Sequence, residues 1–375
     1  MEIKITASEL ARALTILQGA VQKKSTSPIL SNVLLQAHTK EACLHVSATD
    51  LDVGMRLKLG CSIVSEGASS VQARALLDVV KVLAGPDVTL QTAANGHLSI
   101  KSGRASARLL ALNALEFPSL PSSYGVRFFE LDSLQVLSMV HKTIYSTSTD
   151  ENRYNLTGVL FEPQVDGSSL VMVSTDGHRL SRIKEIIEGG LEGVASVTLP
   201  RKGLSELVKL LDSSSDESRF KMGISEQHAI MLVGDSYLSM RLVDGKFPDY
   251  HQVIPKLADK ILRVPRADLL LALKRVSVMT SEKSQTVRIK VSRDVLTLSC
   301  INPDAGEVTD DVGVEYNGPD MEIGFNAKYL MEALSSLLES NVMIKFTDPL
   351  SPTLITGTKE ERHQCVIMPM RLQEM

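Results

Sequence analysis

Three segments of the chain carry apolar residues at helical spacing, each in the same arrangement. They read ARALLDVVKVL, RKGLSELVKLL and AKYLMEALSSL, with a basic residue second and a leucine fourth. The leucines are Leu76, Leu204 and Leu330, which lie 128 and 126 residues apart. Apolar positions three and four apart indicate amphipathic helices.

A second helical pattern recurs with a similar period. It reads SELARALTILQGAV, DSLQVLSMVHKTI and ADLLLALKRVSV, aligned on Leu10, Leu134 and Leu269. Each repeat then closes on an apolar residue followed by proline, twice Phe-Pro and finally Met-Pro. Solenoid repeats span roughly 20–50 residues, whereas this period has the size of a whole domain. The pattern predicts three copies of one fold.

Alternating apolar and polar residues predict short strands between the helices. EIKIT, VRFFEL and KILRVP precede the first helix of each repeat, and CLHVSATD, SLVMVSTDG and VLTLSCI are later examples. About eight strands and two helices per repeat favour an α+β fold, with both helices on one face of antiparallel sheets. The predicted domains are residues 1–125, 126–254 and 255–375. The Ser-rich DSSSDES is predicted to be an exposed loop.

Composition fits three packed domains and a cytoplasmic protein. Of the 375 residues, 43% are hydrophobic but only 4% are aromatic, and tryptophan is absent. The cores are therefore expected to be aliphatic. Without an apolar run of about 18 residues, no membrane-spanning helix is predicted. The N-terminal MEIKITASEL alternates like a strand and lacks the apolar core of a signal peptide.

The four cysteines predict no metal centre. Cys43, Cys61, Cys300 and Cys365 form no C-x-x-C pair, and no nearby histidine completes a zinc-finger spacing. They are expected to be reduced and largely buried thiols. Neither a metal nor another cofactor is predicted.

Charge is distributed unevenly along the chain. The net charge is −4, yet the six helical segments together carry +6, which leaves −10 on the remaining residues. Basic helices in an acidic protein are compatible with a surface for phosphates. Ordinary solvated helix faces would give the same pattern, so both interpretations stay open here.

The sequence lacks the motifs of common enzymes, and only one segment is a candidate for catalysis. The sequence has no Walker A motif, no G-x-G-x-x-G, no G-x-S-x-G and no H-E-x-x-H. A predicted strand does run into Thr-Asp-Gly-His-Arg, where Asp176 and His178 are a conceivable acid–base pair. Alternatively, Asp176 caps the backbone amides of a tight turn, or the turn borders a surface pocket.

Several motifs resemble one family. TDGHRL, VDGKFPDY and the terminal VIMPMRL are similar to the bacterial DNA polymerase III β subunit, the replicative sliding clamp. RYNLTGVLFE, LPRKG and MEIGFN fit the same family, and the resemblance covers essentially the whole chain in order. It implies a ring-shaped head-to-tail homodimer of three-domain chains, with helices lining a central hole and sheets outside.

The resemblance also implies function and partners. Such a clamp has no active site and raises processivity by encircling duplex DNA, independently of sequence. It tethers the replicative DNA polymerase, the clamp loader and other clamp-motif proteins through a hydrophobic peptide pocket. Two competing functions are a regulatory or hydrolytic enzyme using the turn at residues 175–179, and a peptide-binding scaffold that does not encircle DNA.

Site residues follow from the matching motifs. The implied pocket residues are Leu156, Thr175, Gly177, His178, Arg179, Leu180, Pro248, Val253, Val366, Met368, Pro369, Met370 and Arg371. The implied DNA contacts are Lys24, Arg74, Tyr154 and Lys202, to which charge alone adds Arg201. The implied dimer seam joins an edge strand of the first domain to the third domain and includes Ala107, Leu109, Val278 and Met279.

This chain departs from the family pattern at several positions. Asn155 stands where a second aromatic residue is frequent, and Gln252 stands where arginine is frequent. Residues 373–375 extend past the usual end and are expected to lie beside the pocket. Asp150 replaces a polar amide that contacts DNA, which the sequence does not explain. Ala107 replaces a large aromatic residue, so the ring is expected to open readily.

Overall fold

The chain forms two compact units. A computed structural model describes residues 1–22, 27–83, 85–93, 96–213, 218–256, 258–280, 285–359 and 361–372. The first unit comprises Met1–Leu137 with Leu199–Leu242, and the second comprises Ser138–Thr198 with Val243–Met375. The central predicted repeat therefore contributes to both units.

Six α-helices occupy the six predicted segments. They are α1 (Ala7–Leu17), α2 (Ala73–Val82), α3 (Ser133–Thr143), α4 (Arg201–Ser213), α5 (Arg266–Ser277) and α6 (Ala327–Ser336). Each follows a strand directly or within one residue. In α1, for example, the buried residues Leu10, Ala13, Leu14 and Leu17 recur at helical spacing.

Twenty-five strands are found in the described residues. The first repeat has β1 (Glu2–Thr6), β2 (Asn32–His38), β3 (Cys43–Thr49), β4 (Val53–Gly60), β5 (Ser62–Ser65), β6 (Gly67–Gln72), β7 (Asp87–Thr92), β8 (His97–Ser102) and β9 (Ala105–Leu112). The second has β10 (Phe128–Asp132), β11 (Gly158–Pro163), β12 (Ser169–Thr175), β13 (Arg179–Ile186), β14 (Val197–Pro200), β15 (Arg219–Ile224), β16 (His228–Val233) and β17 (Ser236–Arg241). The third has β18 (Lys260–Pro265), β19 (Thr286–Ser292), β20 (Val295–Asn302), β21 (Gly306–Gly313), β22 (Met321–Asn326), β23 (Asn341–Phe346), β24 (Thr353–Gly357) and β25 (His363–Ile367).

The first unit contains a 13-stranded sheet, and its strand order is β10-β15-β16-β17-β4-β3-β2-β6-β9-β8-β7-β1-β5. The antiparallel pair β17–β4 joins the second repeat to the first, with Tyr237 opposite Arg56 and Met240 opposite Val53. Leu76 of α2 and Leu204 of α4 are buried in this unit, as the shared helical pattern predicts. Hydrogen bonds between backbones thus continue across the predicted boundary between repeats.

The second unit contains two antiparallel sheets. The larger has the order β14-β11-β12-β13-β25-β24-β23-β18, and the smaller has the order β21-β20-β19-β22. The pair β13–β25 joins the second repeat to the third. Helices α5 and α6 bury Leu269, Leu273, Leu330 and Leu334 in a core shared with both the larger and the smaller sheet. The predicted α+β class with antiparallel sheets is confirmed.

One predicted equivalence is wrong. Leu10 and Leu269 are fully buried, but Leu134 is 76% exposed. Leu134 is the second residue of α3, whereas Leu10 and Leu269 are the fourth residues of their helices. The fourth residue of α3 is Val136, which is buried. The apolar face of α3 is therefore shifted by two positions from the sequence alignment.

Two further predictions concern membrane-spanning helices and the Ser-rich segment. None of the described helices is long and apolar enough to cross a membrane. The predicted Ser-rich loop falls mostly on residues 214–217, which lie outside the described residues, while Asp212 and Ser213 still belong to α4.

Candidate functional site

An apolar cavity of about 260 Å³ lies in the second unit. Nine of the predicted pocket residues line it: Leu156, Thr175, Gly177, Arg179, Leu180, Pro248, Val253, Val366 and Met368. Asp249 and Tyr250 line it as well. The structure thus brings together residues from the central and C-terminal repeats that are up to about two hundred positions apart in sequence.

The pairing of strands β13 and β25 brings two apolar residues together at the base of the cavity. Leu180 of β13 lies opposite Val366 of β25, and both side chains are buried. Beyond the strand, the Met368 amide donates to the His178 carbonyl at 2.9 Å, which holds Met368 beside the turn. Val253 and Met368 remain partly exposed at the mouth, so an apolar ligand would cover them.

The turn between β12 and β13 forms one wall through its own hydrogen bonds. The Asp176 carboxylate accepts from the amides of His178 and Arg179 at 2.9 and 3.0 Å. The Thr175 hydroxyl donates to the Arg179 carbonyl at 2.6 Å and accepts from the Gly177 amide at 3.1 Å. Gly177 has φ of +87°, a conformation that glycine adopts without strain. Asp176 is therefore a turn cap.

Arg179 is held from several sides beneath this turn. Its Nε donates to Asp176 Oδ2 at 3.0 Å, its Nη2 donates to the Tyr145 carbonyl at 2.6 Å, and its Nη1 pairs with Glu332. The guanidinium carbon lies 4.3 Å from the Tyr329 ring centroid. Burial acts to lower the pKa of Arg179, but the hydrogen bond and charge of Glu332 and the charge of Asp176 raise it overall. The wall therefore contains a permanent, fully paired cation.

Asp150 has a clear structural role. It caps a short 3₁₀ helix, Glu151–Leu156, by accepting from the Asn152 amide at 3.0 Å. Its other oxygen accepts from Arg153 Nε at 3.2 Å, and Arg153 Nη1 donates to the Asp176 carbonyl at 2.8 Å. The hydrogen bond from the Asn152 amide lowers the pKa of Asp150 against the opposing effect of burial. Asp150 thus orients Arg153 against the turn.

Asp249 and Tyr250 are cavity residues that the sequence prediction misses. Tyr250 is buried and donates from its hydroxyl to Glu162 Oε2 at 2.7 Å. Burial, followed by this contact, raises the pKa of Tyr250 to about 12. Both residues lie within VDGKFPDY, between Pro248 and Val253. The motif could have predicted them, because Asp249 and Tyr250 follow the predicted lining residue Pro248 directly in the chain.

The other predicted pocket residues lie around the cavity in different ways. Met370 forms a bridge with Gly324 of β22, and its amide donates to the Gly324 carbonyl at 2.8 Å. His178 and Arg371 are exposed, and Pro369 is half-buried. Residues 373–375 lie outside the described residues, so their predicted position beside the cavity stays a prediction.

The two departures near the cavity are polar contacts on its rim. Asn155 donates from Nδ2 to the Lys246 carbonyl at 3.4 Å, and Gln252 donates from Nε2 to Asp249 Oδ2 at 3.0 Å. Both residues therefore tie loop segments together instead of presenting a ring or a cation to a ligand.

Four of the five predicted DNA contacts lie within the described residues, all on helices, and two of these four pair with carboxylates. Arg74 of α2 is exposed and pairs with Asp78 at 3.0 Å, while Lys202 of α4 pairs with Asp50. Arg201 and Tyr154 are exposed. Lys24 lies outside the described residues. The Arg74–Asp78 pair is exposed on both sides, and such pairs contribute little to stability, so Arg74 can exchange partners readily. The Asp50 side chain is only 8% exposed, so Lys202 is held more firmly.

The predicted seam residues lie at two places. Ala107 and Leu109 are half-buried on β9, opposite Ile100 and Leu98 of β8. Val278 follows α5 and is exposed. Met279 packs against the core, and its carbonyl accepts from Asn302 Nδ2 at 3.2 Å.

Comparison with known proteins agrees with this fold along the whole chain. The N-terminal, central and C-terminal domains of the DNA polymerase III beta subunit match residues 1–121, 130–249 and 251–371. The beta sliding clamp of Caulobacter vibrioides is 33% identical over 376 residues, which cover 99% of this chain and 100% of that protein.

Solved structures give the same result. The Caulobacter crescentus beta sliding clamp has a TM-score of 0.94 at 33% identity, and 99% of each chain is covered. A sliding clamp from Bartonella birtlesii bound to griselimycin has a TM-score of 0.93 at 32% identity, covering 99% of this chain and 100% of that one.

This fold, its apolar surface cavity and the three domain matches in order along the chain together define a DNA clamp. The chain belongs to the bacterial DNA polymerase III beta subunit family. It is a sliding clamp, a processivity factor without catalytic activity. The interpretation of Asp176 and His178 as an acid–base pair is therefore wrong, and the turn-cap interpretation accounts for the contacts of Asp176.

Proposed function

We propose that two copies of the chain encircle duplex DNA in the cytoplasm and tether partner proteins through the cavity of the second unit. Each copy contributes three clamp domains, residues 1–125, 126–254 and 255–375. The three family matches end close to these boundaries. The partners are the replicative polymerase, the clamp loader and other proteins carrying a clamp-binding peptide.

The cavity carries the peptide-binding part of this proposal. Leu156, Leu180, Val253, Val366 and Met368 present aliphatic and thioether groups, which suit leucine or phenylalanine anchors. The cavity is open at Val253 and Met368, whereas the turn and the Arg179 ion pairs hold one wall in place. A fixed wall beside an adaptable mouth favours a short extended peptide.

Fluorescence polarisation tests the peptide site. A labelled peptide with adjacent leucine and phenylalanine anchors is titrated with the full chain and with Val253→Ala and Met368→Ala. Each substitution should weaken binding by about threefold to thirtyfold. Leu115→Ala removes a comparable side chain from an exposed position elsewhere and should leave binding unchanged. Equal affinity in all four proteins would reject this cavity as the site.

The proposed binding of DNA rests on basic side chains of helices α2 and α4. Arg74 and Arg201 are exposed, and Lys202 is about half exposed. Asp78 is about half exposed, so a phosphate can replace it as the partner of Arg74 at little energetic cost. Arg201 offers a further exposed charge on α4. Contacts that exchange this easily favour sliding over tight, local binding.

Retention on DNA tests encirclement. The clamp is loaded with a cognate clamp loader and ATP on nicked circular or linear duplex, then washed at high salt. Retention on circles with loss from linear ends is expected, because a closed ring leaves only at an end. Equal loss from both would overturn the ring. Arg74→Glu with Arg201→Glu should reduce loading, whereas Arg293→Glu, at an exposed loop arginine, should not.

The dimer seam is proposed to form between two strand edges. Within the described residues, the only part of β9 that pairs with β6 is its end, Ala111 and Leu112, which leaves the edge of residues 105–110 open on that side. The strand β21 ends the smaller sheet of the second unit. Arg104 and Arg108 lie at or beside β9, whereas Glu307, Asp310 and Asp311 lie on β21. Opposite charges favour pairing of β9 from one copy with β21 from the other.

A further inference from the structure

The hairpin of β2 and β3 gathers four metal-binding side chains in the first unit. The sequence from His38 reads H-T-K-E-A-C-L-H, so Glu41, Cys43 and His45 follow at intervals of two. His38 and Cys43 lie directly opposite each other in the antiparallel pair. Opposite residues, and residues two apart on a strand, share a face of the sheet. His38, Cys43 and His45 are therefore on one face.

Three donor atoms already lie at metal-ligand distances from one another. Cys43 Sγ is 3.7 Å from Glu41 Oε2, and His45 Nε2 is also 3.7 Å from Glu41 Oε2. All three donors lie within 4.8 Å of each other. Tetrahedral zinc with ordinary bond lengths separates such donors by about 3.4–3.6 Å. The two distances from Glu41 therefore need to close by only a few tenths of an ångström, and the Cys43 Sγ–His45 Nε2 distance is at most 4.8 Å.

His38 is placed to supply a fourth donor. Its ring centroid lies 4.7 Å from that of His45, with the rings inclined at 55°. Two imidazoles bound to one tetrahedral zinc ion have centroids about 5 Å apart. This ring separation makes His38 the candidate for the fourth ligand.

A positive charge already lies beside these donors. Lys58 of β4 is paired opposite His45, and its ammonium is 3.5 Å from Glu41 Oε2. This ion pair is the ordinary explanation for the cluster. However, the Lys58 side chain is one-third exposed, so it can turn into solvent when another cation binds.

We propose that Glu41, Cys43, His45 and His38 form a zinc site that clips the β2–β3 hairpin. One thiolate, two imidazoles and one carboxylate form a borderline-soft set that suits zinc in tetrahedral geometry. The site binds Zn²⁺ with loss of the Cys43 proton. The spacing along the chain does not match a zinc-finger pattern, and the fourth donor, His38, meets the other three only across the hairpin.

Titration of the full-length, metal-free chain with Co²⁺ and then Zn²⁺ tests the proposal. One equivalent of Co²⁺ should give a sulfur-to-cobalt charge-transfer band, which Zn²⁺ then removes. Cys43→Ser should abolish the band. His45→Ala and His38→Ala should each weaken binding by at least about tenfold. Cys61→Ser, which changes a nearby thiol outside the cluster, should bind like the unchanged chain.

Lys58→Met provides a test that does not depend on removing a ligand. It deletes the competing ammonium, so zinc should bind more tightly and raise the melting temperature further. Absence of a charge-transfer band, or equal zinc affinity in the unchanged chain and Cys43→Ser, would overturn the site. Unchanged affinity in Lys58→Met would show that the ammonium does not compete, and would also contradict the proposal.

Discussion

Arg179 Nε donates to Asp176 Oδ2 at 3.0 Å, and this pair connects the turn of the cavity to the core of the second unit. The same guanidinium pairs with Glu332 on α6 and lies over the Tyr329 ring. Since Asp176 also caps the turn amides, one buried cation fixes both the wall of the cavity and its distance from the helix.

Arg179→Ala should therefore destabilise the second unit and weaken peptide binding together. Removing one partner leaves the buried Asp176 carboxylate and the half-buried Glu332 without their cation, which typically costs about 3 kcal/mol or more. Urea unfolding followed by circular dichroism measures the loss. Arg293→Ala, at an exposed arginine, is the control and should change stability by less than about 0.5 kcal/mol. Equal stability of the two variants would contradict the role given to Arg179.

Gly177→Ala should also loosen the wall. At φ of +87° an alanine costs about 1–2 kcal/mol, and its Cβ would come 3.0 Å from Arg153 Nη1. Gly125 provides the control, because it has φ of +75° and open space where an alanine Cβ would stand. A greater loss of thermal stability in Gly177→Ala than in Gly125→Ala indicates that the Arg153 contact adds to the backbone strain. Equal losses would show that the contact is unimportant.

The sequence predicts the helices and most strands because their periodicity is local. The α1 and α2 patterns each bury residues three and four apart. Each predicted segment overlaps an observed helix, although α1, α4 and α5 begin or end one or two residues outside it. Arg179 and Glu332, by contrast, are 153 positions apart. Their pairing depends on how α6 packs, which no local pattern encodes.

Only those cavity residues that lie within the motifs shared with the family could be predicted from the sequence. Thr175, Gly177 and Val366 come from quoted motifs and line the cavity. Met370 comes from the same terminal motif but pairs with Gly324, because the chain leaves β25 toward the smaller sheet. The role of Asp150 could not be predicted, since its partner Arg153 acts on a turn more than twenty residues away.

The Asp150–Arg153 pair should contribute modestly to the turn. Both side chains are about two-fifths exposed, so a double-mutant cycle of Asp150→Ala and Arg153→Ala should give only the small favourable coupling of an exposed ion pair. Peptide affinity should fall in both single variants, because each releases the Asp176 carbonyl from Arg153. Additive effects on stability, without coupling, would mean that Asp150 acts only as a helix cap.

Tyr250 should make the stability of the second unit sensitive to alkaline pH. Burial and Glu162 raise its pKa to about 12 from the ordinary value of 10. The folded state therefore binds the phenolic proton more tightly than the unfolded state, and this contribution is complete below pH 10 and lost as the pH rises toward 12. The difference in unfolding free energy between the unchanged chain and Tyr250→Phe should narrow or reverse over that window. A constant difference from pH 9 to pH 12 would contradict the assignment.

Ala107 should limit the stability of the dimer. It is half-buried on β9 opposite Ile100, beside the open part of the strand edge proposed as the seam. Ala107→Phe adds apolar area at that seam. At roughly 25 cal/mol per Å², the burial of about 60 Å² of new apolar surface lowers the dimer dissociation constant by about tenfold. Ser106→Phe places the same ring on the opposite face of β9 and is the control. Sedimentation of labelled chains at decreasing concentration measures both constants. A picomolar dissociation constant in the unchanged chain would refute the weak seam, and equal effects of the two substitutions would show that the seam lies elsewhere.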